Sequence, residues 1–123
     1  MIGYVTLGTN DLARATAFYD ALSAEMGAKR IMQSDKFSGW GTGMDRTMLM
    51  VFTPFDEQPA TVGNGVMVAL QAADPATVDR LHAKAISLGA TSDGDPGPRG
   101  GGFYGGYFRD LDGHKLNFFC FTG

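Results

Sequence analysis

Chemistry at neutral pH needs side chains that titrate, attack or ligate, and this sequence supplies few of them. It holds two histidines and one cysteine in 123 residues. His82 falls inside a helical pattern between Leu81 and Ala83, and His114 follows Asp112 and Gly113 in a turn. Neither has a second donor at the spacing of a metal site. Cys120 lies three residues from Asn117 in an apolar run, so strand alternation puts the two on opposite faces and turns the thiol toward the core. That leaves no Ser-His-Asp or Cys-His set. Asp110 and Asp112 before Gly113 look like the start of a calcium loop, but the later ligands are missing and turn chemistry accounts for them. Gly100-Gly101-Gly102 is not followed by Lys-Ser/Thr, which excludes a phosphate loop. The remaining candidates are outer residues. Trp40 stands between glycines, Arg99 precedes the glycine run and Tyr104 follows it. A glycine-rich segment carrying arginine and aromatic groups is expected to fold over a ligand and meet an anionic group. The alternative is a solvated loop.

The elements that would position such residues are organised by an internal repeat. Tyr4-Val5-Thr6-Leu7 followed by Asp11 aligns with Met67-Val68-Ala69-Leu70 followed by Asp74. Both segments enter a helical pattern and leave it at Gly27-Ala28 and Gly89-Ala90. Phe37-Ser38-Gly39-Trp40 aligns with Tyr104-Gly105-Gly106-Tyr107, and Met48 to Phe52 with Lys115 to Phe119. The first half predicts a strand over about 2–8, a helix capped by Asn10 or Asp11, and strands over about 29–33, 37–42 and 47–53. Leu12, Ala15, Phe18, Tyr19, Leu22 and Met26 make the first helix's apolar stripe. In the second half, Asp74 caps a helix that has Pro75 in its first turn, a Val78-Leu81-Ala85-Leu88 stripe and a stop at Gly89. Strands follow over about 91–93 (weakly marked), 103–109 and 114–121. The domain boundaries are one module over about 1–57, a linker over about 58–64 with Pro59 and Gly63, and a second module over about 65–123.

A βαβββ unit made twice resembles the glyoxalase / bleomycin-resistance / extradiol dioxygenase (vicinal-oxygen-chelate) superfamily. Thr6-Leu7-Gly8 through Asn10-Asp11-Leu12 and Ala17-Phe18-Tyr19 look like that family's opening. Gly63-Asn64-Gly65 fits the entry to its second module. Asp110-Leu111-Asp112-Gly113-His114-Lys115-Leu116 looks like its closing turn and last strand. The resemblance spans the whole chain. It implies an α+β fold in which two tandem βαβββ modules form a curved mixed sheet around a cavity, with helices on the outer face.

The resemblance also implies a divalent metal held by His, Glu or Gln from the first and last strand of each module. In this sequence those positions are Tyr4 and Met50, then Met67 and Asn117. Divalent ions want carboxylate, imidazole or thiolate donors. A phenol with a pKa near ~10, two thioethers and an amide do not replace them. The sequence therefore predicts no metal and no cofactor; a soft Cu(I) site on Met50 and Met67 is the weaker alternative. Strand parity gives the cavity lining: Tyr4 and Thr6, Met48, Met50 and Phe52 from the first module, then Met67, Ala69, Gln71, Asn117, Phe119 and Phe121 from the second. Trp40, Arg99 and Tyr104 are expected at the mouth. Apolar walls with sparse polar anchors suit a small molecule. A packed concavity or a dimer interface would use the same residues.

Composition narrows the function further. With 44 % apolar and 19 % charged residues the chain is ordinary globular protein. A net charge of −3 offers no basic stripe for nucleic acid. No apolar stretch reaches transmembrane length and no signal peptide opens the chain, so no membrane partner is expected. One cysteine permits no internal disulfide, which points to the cytoplasm. The expected function is a cytoplasmic, homodimeric, metal-free binder of a small, mainly apolar molecule, with no assignable catalytic residue. The alternatives are a metal-dependent lyase or dioxygenase of the glyoxalase type, and a structural dimer module without a ligand.

Overall fold

Two aspartates start the two helices in the same way. In a computed structural model that describes all of Met1–Gly123, Asp11 accepts a hydrogen bond from the Arg14 amide and Asp74 one from the Thr77 amide. Each satisfies one of the free amides of a first helical turn. The Thr77 contacts also hold the Asp74 carboxyl below its ordinary pKa. Both helices end at a glycine in the left-handed region, Gly27 at φ +75° and Gly89 at φ +106°, a conformation that side chains disfavour.

The chain divides into two units, Met1–Val62 and Gly63–Gly123. The first runs β1 (Tyr4–Gly8), α1 (Leu12–Glu25), β2 (Lys29–Gln33), β3 (Phe37–Gly41) and β4 (Met48–Phe52). Its sheet order is β1-β4-β3-β2, with β1 parallel to β4 and the other pairs antiparallel. The second runs β5 (Val68–Gln71), α2 (Pro75–Ser87), β6 (Thr91–Pro98), β7 (Phe103–Arg109) and β8 (Lys115–Phe121), in the matching order β5-β8-β7-β6. The fold is α+β, two βαβββ modules with mixed sheets.

Each helix covers one face of its own sheet. In the first unit Ala15, Phe18, Tyr19 and Leu22 are buried with Leu7, Val51 and Trp40. In the second Val78, Leu81, His82 and Ala85 are buried with Phe108, Leu116, Phe118 and Cys120. The helix stripes correspond one for one. The aromatic pairs correspond too: Tyr19 lies 5.3 Å from Trp40 between ring centres, and His82 6.5 Å from Phe108.

Two expectations need correction. Strand β6 runs for eight residues rather than about three. Its Gly94-Asp95-Pro96-Gly97-Pro98 stretch has no alternating pattern; pairing to β7, through two irregularities in register, makes it a strand. The repeat also slips by one at the third strand of each module. Gly39 pairs with Met50, and Tyr107 pairs with Asn117. Gly39 therefore corresponds to Tyr107, 68 positions on, and Trp40 to Phe108. The matching aromatic and glycine residues around 104–107 hid the shift, and a slip of one exchanges the two faces of a strand.

Candidate functional site

The face of each sheet turned away from its helix carries the residues that strand parity assigned to a cavity. In the first module β1 presents Tyr4 and Thr6, and β4 presents Met48, Met50 and Phe52, which share rows with Tyr4, Thr6 and Gly8. Met50 is 3 % exposed. It lies across Gly39, where a Cβ would come within 3.1 Å of its side chain, and Met48 lies across Gly41 in the same manner. Phe52 meets Phe37 edge to face at 4.9 Å. Tyr4 is 59 % exposed. Together with Thr6 and Phe52 it borders a groove of about 540 Å³, closed on the far side by Pro54, Phe55 and Ala60.

The second module's face has a different chemistry. Along β8 it reads Lys115, Asn117, Phe119, Phe121, and along β7 Phe103, Gly105, Tyr107, Arg109. Phe103 and Phe119 are stacked, 5.5 Å apart with planes 6° from parallel, and Phe121 meets both edge to face. Gly105 lies under Phe103, whose ring comes within 2.8 Å of where a Cβ would be. At the other end Tyr107 receives two cations: the Arg99 guanidinium lies 5.5 Å from its ring centre and the Lys115 ammonium 5.3 Å. Between the ends sits Asn117, paired to Ala69 on one side and Tyr107 on the other. Asn117 is 1 % exposed, and its Oδ1 finds no hydrogen-bond donor in the protein. A buried carbonyl without a donor costs about 1–3 kcal/mol, so its retention calls for a reason.

Trp40 and Tyr104 do not stand at the mouth of this face. Trp40 is buried on the helix side, and its indole N–H donates to Asp20 Oδ1 of α1 at 2.8 Å. Tyr104 donates its hydroxyl to Asp79 Oδ1 of α2 at 2.6 Å. That bond, with burial and the Asp79 charge, raises the phenol's pKa above its ordinary value. Arg99, by contrast, is on the side expected: it reaches over Tyr107 and donates Nη2 to the Asp95 carbonyl. Met67 and Phe121 are exposed large apolar residues. Sequence reasoning missed Phe103, Tyr107 and Lys115. The correct repeat offset would have put Tyr107 beside Asn117, and parity with Asn117 already placed Lys115 on the same face.

The other reactive side chains are tied up structurally. His82 is buried with Nε2 3.0 Å from the Tyr107 carbonyl. Asp110 accepts from the amides of Asp112 and His114, which closes the turn into β8. Cys120 is buried on the helix side. No group of three or more His, Cys, Asp or Glu side chains is placed to hold a metal ion. Tyr4, Met50, Met67 and Asn117 do not fit a divalent ion by donor chemistry.

A family model for the glyoxalase/bleomycin resistance protein/dioxygenase superfamily matches residues 1–118. The chain belongs to that superfamily. A glyoxalase/bleomycin resistance protein from Albidiferax ferrireducens T118 is 32 % identical, with a TM-score of 0.88 and 97 % of both chains covered. A hypothetical protein from S. aureus is 30 % identical, with a TM-score of 0.76, covering 97 % of this chain and 91 % of the other. A lactoylglutathione lyase from Agrobacterium tumefaciens, 22 % identical with a TM-score of 0.72 over 97 % and 92 % of the chains, shares the fold. No curated protein matches the chain. No helix is long and apolar enough to cross a membrane.

Proposed function

We propose that this superfamily member binds a small, mainly apolar molecule on the sheet faces turned away from the helices, without the divalent metal of its better-known relatives. Asn117 Oδ1 carries the reading. It is a buried acceptor with no donor, at the position where the family resemblance puts a metal ligand, on a strand whose next outward residue is an aromatic ring. A ligand N–H or O–H would supply the missing donor, and Phe119 and Phe103 would supply apolar contact. Tyr4 and Thr6 are the polar groups of the first module's groove. The unpaired Cys120 is in keeping with a cytoplasmic protein.

Two measurements test this reading. Elemental analysis of purified protein is expected to find no stoichiometric Zn, Ni, Mn or Fe. One equivalent that disappears when Tyr4, Met50, Met67 or Asn117 is replaced would restore the metal-dependent lyase or dioxygenase. A saturable thermal shift with a small aromatic compound is expected in wild type and lost in Ala69→Phe, which fills the position beside Asn117 while leaving the fold. If no compound binds saturably, the structural module is the better account. We also propose a homodimer, which the exposed Tyr4, Met67 and Phe121 support. A monomer by light scattering at micromolar concentration would remove it.

A further inference from the structure

We infer that the ligand of the second module is an aromatic anion, held with its ring toward Phe103 and Phe119 and its negative group toward Arg99 and Lys115. This deepens the reading that the face around Asn117 takes a small molecule, and rests on it. The face is graded. Lys115, Asn117 and Phe119 follow one another on the same side of β8, so a cation, a donor-less acceptor and an aromatic ring span about 14 Å at ~3.4 Å per residue. Tyr107 stands beside Asn117 and collects both cations on its ring.

The charges at the basic end are not all used. Arg109 and Lys115 share one carboxylate, that of Asp93, at 3.1 and 3.7 Å. Arg99 meets only a backbone carbonyl and the Tyr107 ring, and the nearby Asp95 carboxylate accepts from the Ser92 hydroxyl. Arg99, Arg109 and Lys115 stand against the two carboxylates of Asp93 and Asp95, since a neutral hydroxyl does not cancel a charge, and this group keeps one positive charge in excess on a protein of net charge −3. The exposed guanidinium is held by Tyr107 and Asp95, so binding an anion does not first have to order it. Tyr4, Thr6 and Met50 of the first module offer no counterpart, so the anionic group belongs on the second module's face.

Two dyes separate this inference from the reading beneath it. Anilinonaphthalene sulfonate carries an aromatic body, one N–H and one anion; N-phenylnaphthylamine is the same molecule without the sulfonate. Fluorescence titration of folded protein is expected to give saturable binding of both, with the sulfonate at least about tenfold tighter, the size of one charge-assisted contact. Arg99→Gln should remove that advantage and leave the neutral dye unchanged. Arg80→Gln, which takes the same charge from α2, should change neither. Asn117→Leu should weaken both. Equal affinity for the two dyes, or an advantage that survives Arg99→Gln, overturns the anionic assignment while the small-molecule reading stands. Failure of both dyes to saturate overturns the two together.

Discussion

The two modules share their helix faces and part company on the other side. Ala15, Phe18, Tyr19 and Leu22 match Val78, Leu81, His82 and Ala85 in position and burial, and the Tyr19–Trp40 pair matches His82–Phe108. On the opposite faces, Met48 and Met50 lying over glycines correspond to Lys115 and Asn117 beside Tyr107. Packing against a helix requires that summed volume be kept, as the opposite exchanges Ala15/Val78 and Leu22/Ala85 keep it, and that no unpaired polar group be buried. The face that does not contact the helix is under that constraint only in part: Met48, Met50 and Asn117 are buried there, whereas Tyr4 and Phe121 are exposed. One copy has become thioether-lined and the other basic, amide-bearing and aromatic. The difference sets the helix-packed core on one side of each sheet and the residues proposed to bind a ligand on the other.

The largest test of that division is a pair of core truncations. Phe118 is fully buried and stacks on Phe108, and Val51 is its counterpart in the first module. Phe118→Ala is expected to lower unfolding free energy by about 3–5 kcal/mol in urea titration. Val51→Ala removes two buried methyl groups and should lower it by about 2 kcal/mol. Truncation of Phe121, 66 % exposed on the other face, should change it little. A Phe121→Ala loss equal to that of Phe118→Ala would mean the outward face is core as well.

Gly106 sharpens the comparison between the helix faces. A Cβ there would lie 2.9 Å from Pro96 Cγ and 3.0 Å from His82 Cδ2. Gly106→Ala is expected to cost about 1–3 kcal/mol through overpacking. The counterpart Ser38 already carries a side chain, whose Oγ lies 2.9 Å from Thr16 Oγ. Ser38→Ala should lose about 1 kcal/mol, one hydrogen bond. Equal thermal stability of Gly106→Ala and wild type would show that Pro96 and His82 give way to a side chain at this position without cost.

The outward faces call for a substitution of opposite sign. Asn117→Leu replaces the donor-less carbonyl with an apolar group of similar size, and is expected to stabilise the protein by about 1–3 kcal/mol while weakening ligand binding. At the matching position, Met50→Leu conserves volume and should cost less than about 1.5 kcal/mol. Chemical denaturation of the two variants decides it. Destabilisation by Asn117→Leu would mean the amide makes a bond that holds the fold, and the case for a ligand there would be lost.

What could be read from the sequence divides along the same line. The helices, their aspartate caps and glycine stops, and six strands within a residue or two follow from local pattern, because each is set by a capping residue or an apolar period. Of the four positions expected from the family, Tyr4, Met50 and Asn117 lie on β1, β4 and β8, and Met67 directly precedes β5. Trp40 and Tyr104 were misplaced because both third strands are rich in glycine and aromatic residues on each side. Periodicity alone could not choose a register that backbone pairing fixes. Strand β6 lacked a pattern altogether, since its glycines and prolines are ordered by β7. The Arg99–Tyr107–Lys115 cluster joins three strands or their ends, and only the correct pairing brings it together.

The smallest expected effect belongs to a contact found in one module only. Tyr104 donates to Asp79, whereas its counterpart in the first module is Lys36, whose backbone carbonyl pairs with Thr53. The bond favours the protonated phenol, so the folded pKa is raised above the unfolded value near ~10. A raised pKa makes a contribution that is complete below the unfolded value and is lost as pH rises through the folded one. The stability difference between wild type and Tyr104→Phe, measured in urea at about pH 8 and again well above about pH 10, should therefore shrink at the higher pH. Every other group is common to the two proteins and cancels in the difference. Because the site is open to solvent, the change should be small and should fall further with added salt. A difference that holds constant across this window would mean that Tyr104 steadies α2 by ring packing, and that the hydroxyl contributes nothing that a phenylalanine would lose.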